Sequence, residues 1–292
     1  MSNALSVLGQ MLSSSGPAGS QATAPTSQAS DGPVLQSLAA VGVCTLAVWI
    51  IRRLMYPRKF TLANTPGRRN TVSPLHLLPL FVLWYAVQAA VVNLPRIPLA
   101  PRSFERRTLA MLAGQAFMIM ASLAVAAATF RHGLRRGFGL SMRHWIYDSW
   151  RGVIGYLVIF PVCWGVLYLT VSLLPVEPQS HEMLLAAGRM HGVWRALVIL
   201  SVVLLAPLAE EMFFRGLLQS MLRRYVGPWG AILATSAIFA GVHGLAHTMP
   251  ALFVLALALG YNYERCGRIY PSILIHTIFN GVFLWQYLSA NG

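Results

Sequence analysis

The sequence predicts an all-α protein, a polytopic membrane helix bundle of about eight transmembrane helices, and three observations carry that prediction. The 292-residue chain is 56% hydrophobic and only 10% charged, where a soluble domain carries about 25% charged residues. Its mean hydropathy is +0.60. Its apolar residues gather into stretches near the length that crosses a bilayer, about 20 residues, with most charges falling between them.

Residues 1–33 are rich in Ser, Ala, Gly, Pro and Gln and carry a single charge, Asp31. Such a composition buries too little apolar surface to order itself, so a flexible, disordered N-terminal tail is expected. It lacks the basic start of a secretory signal peptide. Eight apolar stretches follow, at 34–51, 75–93, 109–130, 151–174, 195–223, 229–246, 249–264 and 271–289. Breakers separate them, among them Asn64-Thr65-Pro66-Gly67, Pro95 with Pro98, and Gly227-Pro228. The fifth stretch is too long for a simple span and contains Pro207, which predicts a kink or a cytosolic extension. The sixth and seventh are short, are joined only by Leu245 to Met249, and read as a tight hairpin with Pro250 in the first turn of the second helix. Residues 34–174 thus form an N-terminal set of transmembrane helices, and 195–289 a second set that is richer in polar groups.

The formal charge of +14 comes from 22 basic residues, of which Lys59 is the only lysine. Nucleic-acid binding is not expected, because the arginines form no stripe with interleaved aromatics. They sit at the ends of apolar stretches, where the positive-inside rule and anionic headgroups account for them, so the lipid bilayer is the partner they imply. Arg52, Arg53, Arg58, Lys59, Arg68 and Arg69 place the 52–74 loop in the cytoplasm, as Arg131, Arg135, Arg136, Arg143 and Arg151 place the 131–151 loop. Both termini then lie outside, while Arg96, Arg102, Arg106 and Arg107 of the 94–108 loop oppose that topology. The Arg-rich, Lys-poor usage suggests a high-GC bacterium, and hence a bacterial cell (inner) membrane. Cys44, Cys163 and Cys266 share no metal or disulfide spacing and read as structural. No internal repeat is evident, which argues against a transporter built from two related halves.

Against this background two adjacent acids stand out. The chain has eight acidic residues, and Glu210 and Glu211 lie side by side in the run SVVLLAPLAEEMFFRGLLQSML. Each charge near a bilayer centre costs about 2.5–3.5 kcal/mol on insertion scales, so such groups are paired, neutralised or face a wet cavity. Successive residues lie about 100° apart on a helix. Arg215 shares the face of Glu211, four residues on and in the favourable acid-then-base order. Glu211 and Arg215 therefore read as a structural pair, with Glu210 free for proton chemistry. Phe239 and His243 are four apart in the sixth stretch, and His276 and Asn280 four apart in the eighth. Taken alone, His276 and Asn280 fit an interhelical hydrogen-bond clamp equally well. His247 reads as a helix-end residue, and the other histidines carry no pattern.

These residues resemble the motifs of the CAAX protease and bacteriocin-processing (CPBP, or Abi) family. Two glutamates followed by an arginine match Glu210-Glu211-Met212-Phe213-Phe214-Arg215. An aromatic residue four before a histidine matches Phe239 and His243, and a histidine four before an asparagine matches His276 and Asn280. Each pattern alone is weak; three in order on separate apolar helices are specific. The resemblance covers about residues 195–289, which it marks as the catalytic transmembrane core. It implies an intramembrane endopeptidase acting on a peptide or membrane-anchored protein substrate. Glu210 and His243 would activate a water, and His276 and Asn280 would form the oxyanion hole, with Glu211, Arg215 and Phe239 in support. No cofactor is implied: a carboxylate with two histidines would suit zinc, but there is no H-E-x-x-H motif, so zinc is the less favoured alternative. Two other functions stay open at this stage, a non-catalytic immunity or scaffold protein that binds a peptide in the same pocket, and a proton-coupled transporter.

Overall fold

The computed structural model describes residues 32–56, 62, 65, 70–93, 103–173, 182–243 and 245–291. Among them there is helix and no strand. In chain order the main helices are α1 (Gly32–Met55), α2 (Pro74–Val92), α3 (Ser103–Thr129), α4 (Trp145–Leu173) and a short α5 (Glu182–Arg189), with single helical turns at Gly133–Gly137 and Met142–His144 between α3 and α4. A long helical run starting at Gly192 follows, and then α8 (Met249–Cys266) and α9 (Tyr270–Asn291). The run is helical without interruption from Gly192 to Val242 except at Gly227, whose φ of 71° and ψ of −179° break it. We label the part before this break α6 and residues 228–242 α7. The expected tail at 1–33 lies almost wholly outside the described residues, with α1 beginning at Gly32.

Local chemistry sets the ends. At α2, Ser73 Oγ accepts from the Leu75 N–H and Pro74 occupies the first turn, where a missing N–H costs nothing. At α8, Pro250 opens the helix and Gly267 closes it in the left-handed conformation, φ 62°. Two helix starts differ most from the sequence expectation. The helix expected from 109 starts at Ser103, so Arg106 and Arg107 are helical, and the one expected from 151 starts at Trp145. Amphipathic first turns, Glu105 in α3 and Asp148 in α4, extend both helices beyond their purely apolar stretches.

Five helical stretches are long and apolar enough to cross a membrane: Val34–Met55, Pro74–Val92, Phe104–Thr129, Trp145–Leu173 and Gly192–Val242. This is an integral membrane protein. The last stretch has 51 residues, and a straight helix of that length would measure about 77 Å, more than twice the hydrocarbon thickness. Gly227 turns it back on itself, so that Phe239 of α7 packs edge-on against Phe214 of α6, 5.1 Å between centroids. α8 and α9 stand apart from these five because Asn262, Glu264, His276, Asn280 and Gln286 interrupt their apolar character.

α6 is the centre of the assembly. Ala209, Met212, Phe213, Phe214, Leu217 and Met221 pack with Leu77 and Leu80 of α2, Met118 and Ala126 of α3, Phe239, and Ala256 and Tyr263 of α8. A second core joins α4 (Tyr156, Phe160, Cys163) to α8 (Leu255, Leu259) and to Ile275 of α9. α1 and α2 turn Val41, Val48, Ile51, Leu54, Leu75, Leu78 and Val82 outward, the apolar surface that lipid covers.

The run stays helical through Pro207 but widens into two π-helical stretches, Ser201–Leu205 and Met212–Gln219, on either side of an α-turn at Ala206–Glu211. Widening leaves carbonyls without backbone partners, and side chains take them up. Asn70 donates through Nδ2 to the carbonyls of Gly216 and Leu217 (3.3 and 2.9 Å), and Ser220 Oγ donates to that of Arg215 (2.9 Å). Gly216 is required here by contact, since a Cβ would lie 2.4 Å from the ring of Phe138.

Candidate active site

The three patterns singled out in the sequence meet on one wall. α6 supplies Glu210, whose side chain is 13% exposed, and behind it Glu211 and Arg215, both fully buried. The 100° step between the two acids sends Glu210 toward a cavity and Glu211 into the protein, as their spacing predicts. Arg215 Nε lies 3.1 Å from Glu211 Oε2. The guanidinium stacks on apolar rings, its Cζ 5.2 Å from the centre of Phe239 and 6.0 Å from that of Phe214. A buried charge so placed is tolerable only with its partner and those π faces.

α7 ends at the site. His243 caps it, and its Nδ1–H donates to the carbonyl of Phe239 at 2.7 Å, which turns Nε2 toward Glu210 Oε2 at 3.9 Å. Phe239 packs against His243 and His276, with centroids 4.5 and 5.7 Å away. It is therefore the common support of both imidazoles and of Arg215. On α9, His276 Nδ1–H donates to Glu211 Oε1 at 3.3 Å, and Nε2 sits 3.8 Å from Glu210 Oε2. Glu211 pairs with Arg215 as its spacing predicts, and it also holds His276, a contact the spacing did not predict. Glu210 has a histidine nitrogen on each side, both beyond direct hydrogen-bond reach.

The cavity measures about 340 Å³, and Glu210, His243, His276 and Asn280 all line it. Glu211, Arg215 and Phe239 do not; they are its foundation. His247 is elsewhere, in the turn before α8 and only 8% exposed. Asn280 has a partner that the four-residue spacing could not reveal: its Nδ2 donates to the carbonyl of Val202 at 2.9 Å. Among the described residues no group of three or more His, Cys, Asp or Glu side chains is arranged to hold a metal ion.

Sequence reasoning missed the facing wall. Trp84, Tyr85 and Gln88 of α2, Met111 and Gln115 of α3 and Leu167 of α4 also line the cavity, so the first half of the chain helps to build the site. A signal existed. Gln88 and Gln115 are lone carboxamides inside apolar spans, and polar groups at that depth mark functional sites.

The family model for type II CAAX prenyl endopeptidase Rce1-like proteins matches residues 192–282, the stretch that carries α6 to α9. Among curated proteins, the chain is 36% identical over 92 residues to the uncharacterized protein YpbD of Bacillus subtilis (strain 168), covering 30% of this chain and 44% of that one. It is 31% identical over 150 residues to an uncharacterized 24.3 kDa protein of Escherichia coli, covering 45% of this chain and 68% of that one. The chain thus spans less than half the length of the Bacillus relative. No solved structure gives a significant match. With all three motifs converging on one cavity inside the matched stretch, the chain belongs to the CPBP family of Rce1-like, CAAX-protease-related membrane proteins.

Proposed function

We propose that this protein is an intramembrane endopeptidase of the CAAX-protease type that hydrolyses a peptide bond by glutamate- and histidine-activated water, without a metal. The observation that carries the reading is Glu210, a carboxylate facing the cavity with the Nε2 atoms of His243 and His276 at 3.9 and 3.8 Å. A water held at Glu210 gives its proton to the carboxylate as its oxygen attacks the scissile carbonyl. His243, its Nδ1–H engaged with Phe239, presents Nε2 to the same water. Asn280 Nδ2 and the doubly protonated ring of His276, which donates from Nε2 while Nδ1–H stays on Glu211, stabilise the oxyanion of the tetrahedral intermediate, in a cavity whose apolar walls strengthen every such interaction. Collapse of the intermediate returns the proton from Glu210 to the leaving amine.

The substrate in this reading is a peptide or a membrane-anchored protein segment, reached within a bacterial cell membrane. The buried charges favour catalysis over a passive binding role. A peptide-binding scaffold needs neither a carboxylate set between two imidazoles nor the Glu211–Arg215 pair that fixes one of them.

Purified wild type and Glu210→Gln, each in detergent, are incubated with a diverse peptide library, and new termini are read by mass spectrometry. Cuts made by wild type and absent with Glu210→Gln are expected. Equal cutting by both, or none by a well-folded wild type, would overturn the reading. Chelation should leave the cuts unchanged; loss of activity restored by Zn²⁺ would overturn the metal-free part.

A further inference from the structure

We propose that Gln115 of α3 is a positioning residue for Asn280, acting through the π-helical turn Ser201–Leu205. The inference rests on the proposed proteolysis, and it assigns a role to a residue outside both the stretch matched by the family model and the motifs.

The carbonyl of Val202 lacks its helical donor. In a regular α-helix the carbonyl of Val202 would accept from the N–H of Ala206. Here the Ala206 N–H turns to Ser201 instead, the five-residue closure of a π-turn. The next residue in line is Pro207, which has no N–H. Val202 is thereby left without either backbone partner, and the Asn280 amide fills the place at 2.9 Å. One N–H of Asn280 is committed, so the plane of its carboxamide is fixed and its second N–H has a set direction.

What holds the turn open is Gln115. Its Oε1 accepts from Ser201 Oγ at 2.6 Å, and its Nε2 approaches the Ser201 carbonyl at 3.5 Å. Gln115 is 4% exposed and Ser201 fully buried. Both ends of the carboxamide therefore grip the residue next to Val202. The chain of contacts runs from α3 through α6 to α9: Gln115, Ser201, the Val202 carbonyl, Asn280. Gln115, Val202 and Asn280 all line the cavity. A shift of the Val202 carbonyl would free the Asn280 amide to rotate, and a rotated amide presents Oδ1, an acceptor, where an oxyanion needs a donor.

The test uses a peptide cut by wild type, and measures kcat, KM and thermal midpoint in detergent. Gln115→Leu should lower kcat about 10–100-fold with KM within about twofold, since an interaction made only in the transition state is lost. Ser201→Ala should act in the same direction, and the double variant should fall little further than Gln115→Leu. Pro207→Ala separates positioning from simple stability. It restores an N–H that competes for the freed carbonyls and removes the cost of a proline inside a helix, so it should leave the midpoint unchanged or raised and yet lower kcat. Wild-type kcat in Gln115→Leu or in Pro207→Ala would overturn the inference while leaving proteolysis standing. So would a full kcat in Asn280→Ala, and a wild type that cuts nothing would overturn both readings.

Discussion

Arg215→Met should be the most destabilising single change at the site that leaves every cavity-lining residue in place. Arg215 and Glu211 are both fully buried, 3.1 Å apart. The substitution removes the counter-charge and leaves the Glu211 carboxylate with only His276, at 3.3 Å. Orphaning one member of a buried pair costs about 3–5 kcal/mol, and the lost stacking on Phe239 adds about 1 kcal/mol. Taking the pair alone, the thermal midpoint in detergent should fall by about 6–20 °C. Glu211→Gln should also destabilise, by leaving the guanidinium without its carboxylate. The double variant Glu211→Gln/Arg215→Met places a neutral pair in the same volume and should melt well above Arg215→Met. Thermal unfolding followed by circular dichroism measures all four proteins, and the coupling energy follows from the cycle. An Arg215→Met midpoint within about 2 °C of wild type, or strictly additive singles, would refute the assignment of these residues as the charged foundation of the site.

Three further outcomes follow from the packing. Asp148 of α4 is fully buried and forks onto Arg268 just before α9, with contacts of 2.5 and 2.6 Å; Asp148→Asn should cost about 2–3 kcal/mol by denaturant unfolding, discounted because Arg268 keeps a fifth of its surface. Gly216→Ala sets a Cβ 2.4 Å from the Phe138 ring; it should destabilise by about 1–3 kcal/mol and be partly relieved by Phe138→Leu. Burial lowers the pKa of His247 from its ordinary 6.5. The folded state thus favours the neutral ring, and its stability contribution is complete above about pH 6.5 and is lost as pH falls through the lowered value. Midpoints of His247→Gln measured between pH 7.5 and 5 should decline less than those of wild type.

Much of the site was legible because its signals are local. Glu210, Glu211 and Arg215 sit on one helix, where 3.6 residues per turn dictates which acid meets the arginine and which faces away. Phe239 with His243, and His276 with Asn280, obey the same rule on their own helices. The cost of charge in lipid makes each of them conspicuous. Pro207 was equally visible, but its own span could not say whether it meant a kink or an extension; the helix takes it up by widening, because side chains on other helices donate to the freed carbonyls. Gln88 and Gln115 were visible as residues, but nothing in their own spans says that they face Glu210 across a cavity.

The sequence by itself determined that the chain is a helical membrane protein, which of its charges are costly, and how each helix presents its polar face. Those properties depend on composition and on a period that each helix carries internally. Tertiary structure alone decided that α2, α3 and α4 complete the cavity, that the carbonyl of Val202 is open to Asn280, and that Gln115 grips the turn between them. The last two are pairings between residues 78 and 86 positions apart. They follow from which helices lie side by side and at what angle, a choice made by packing volume and by the need to satisfy every buried polar group, for which periodicity along one helix has no term.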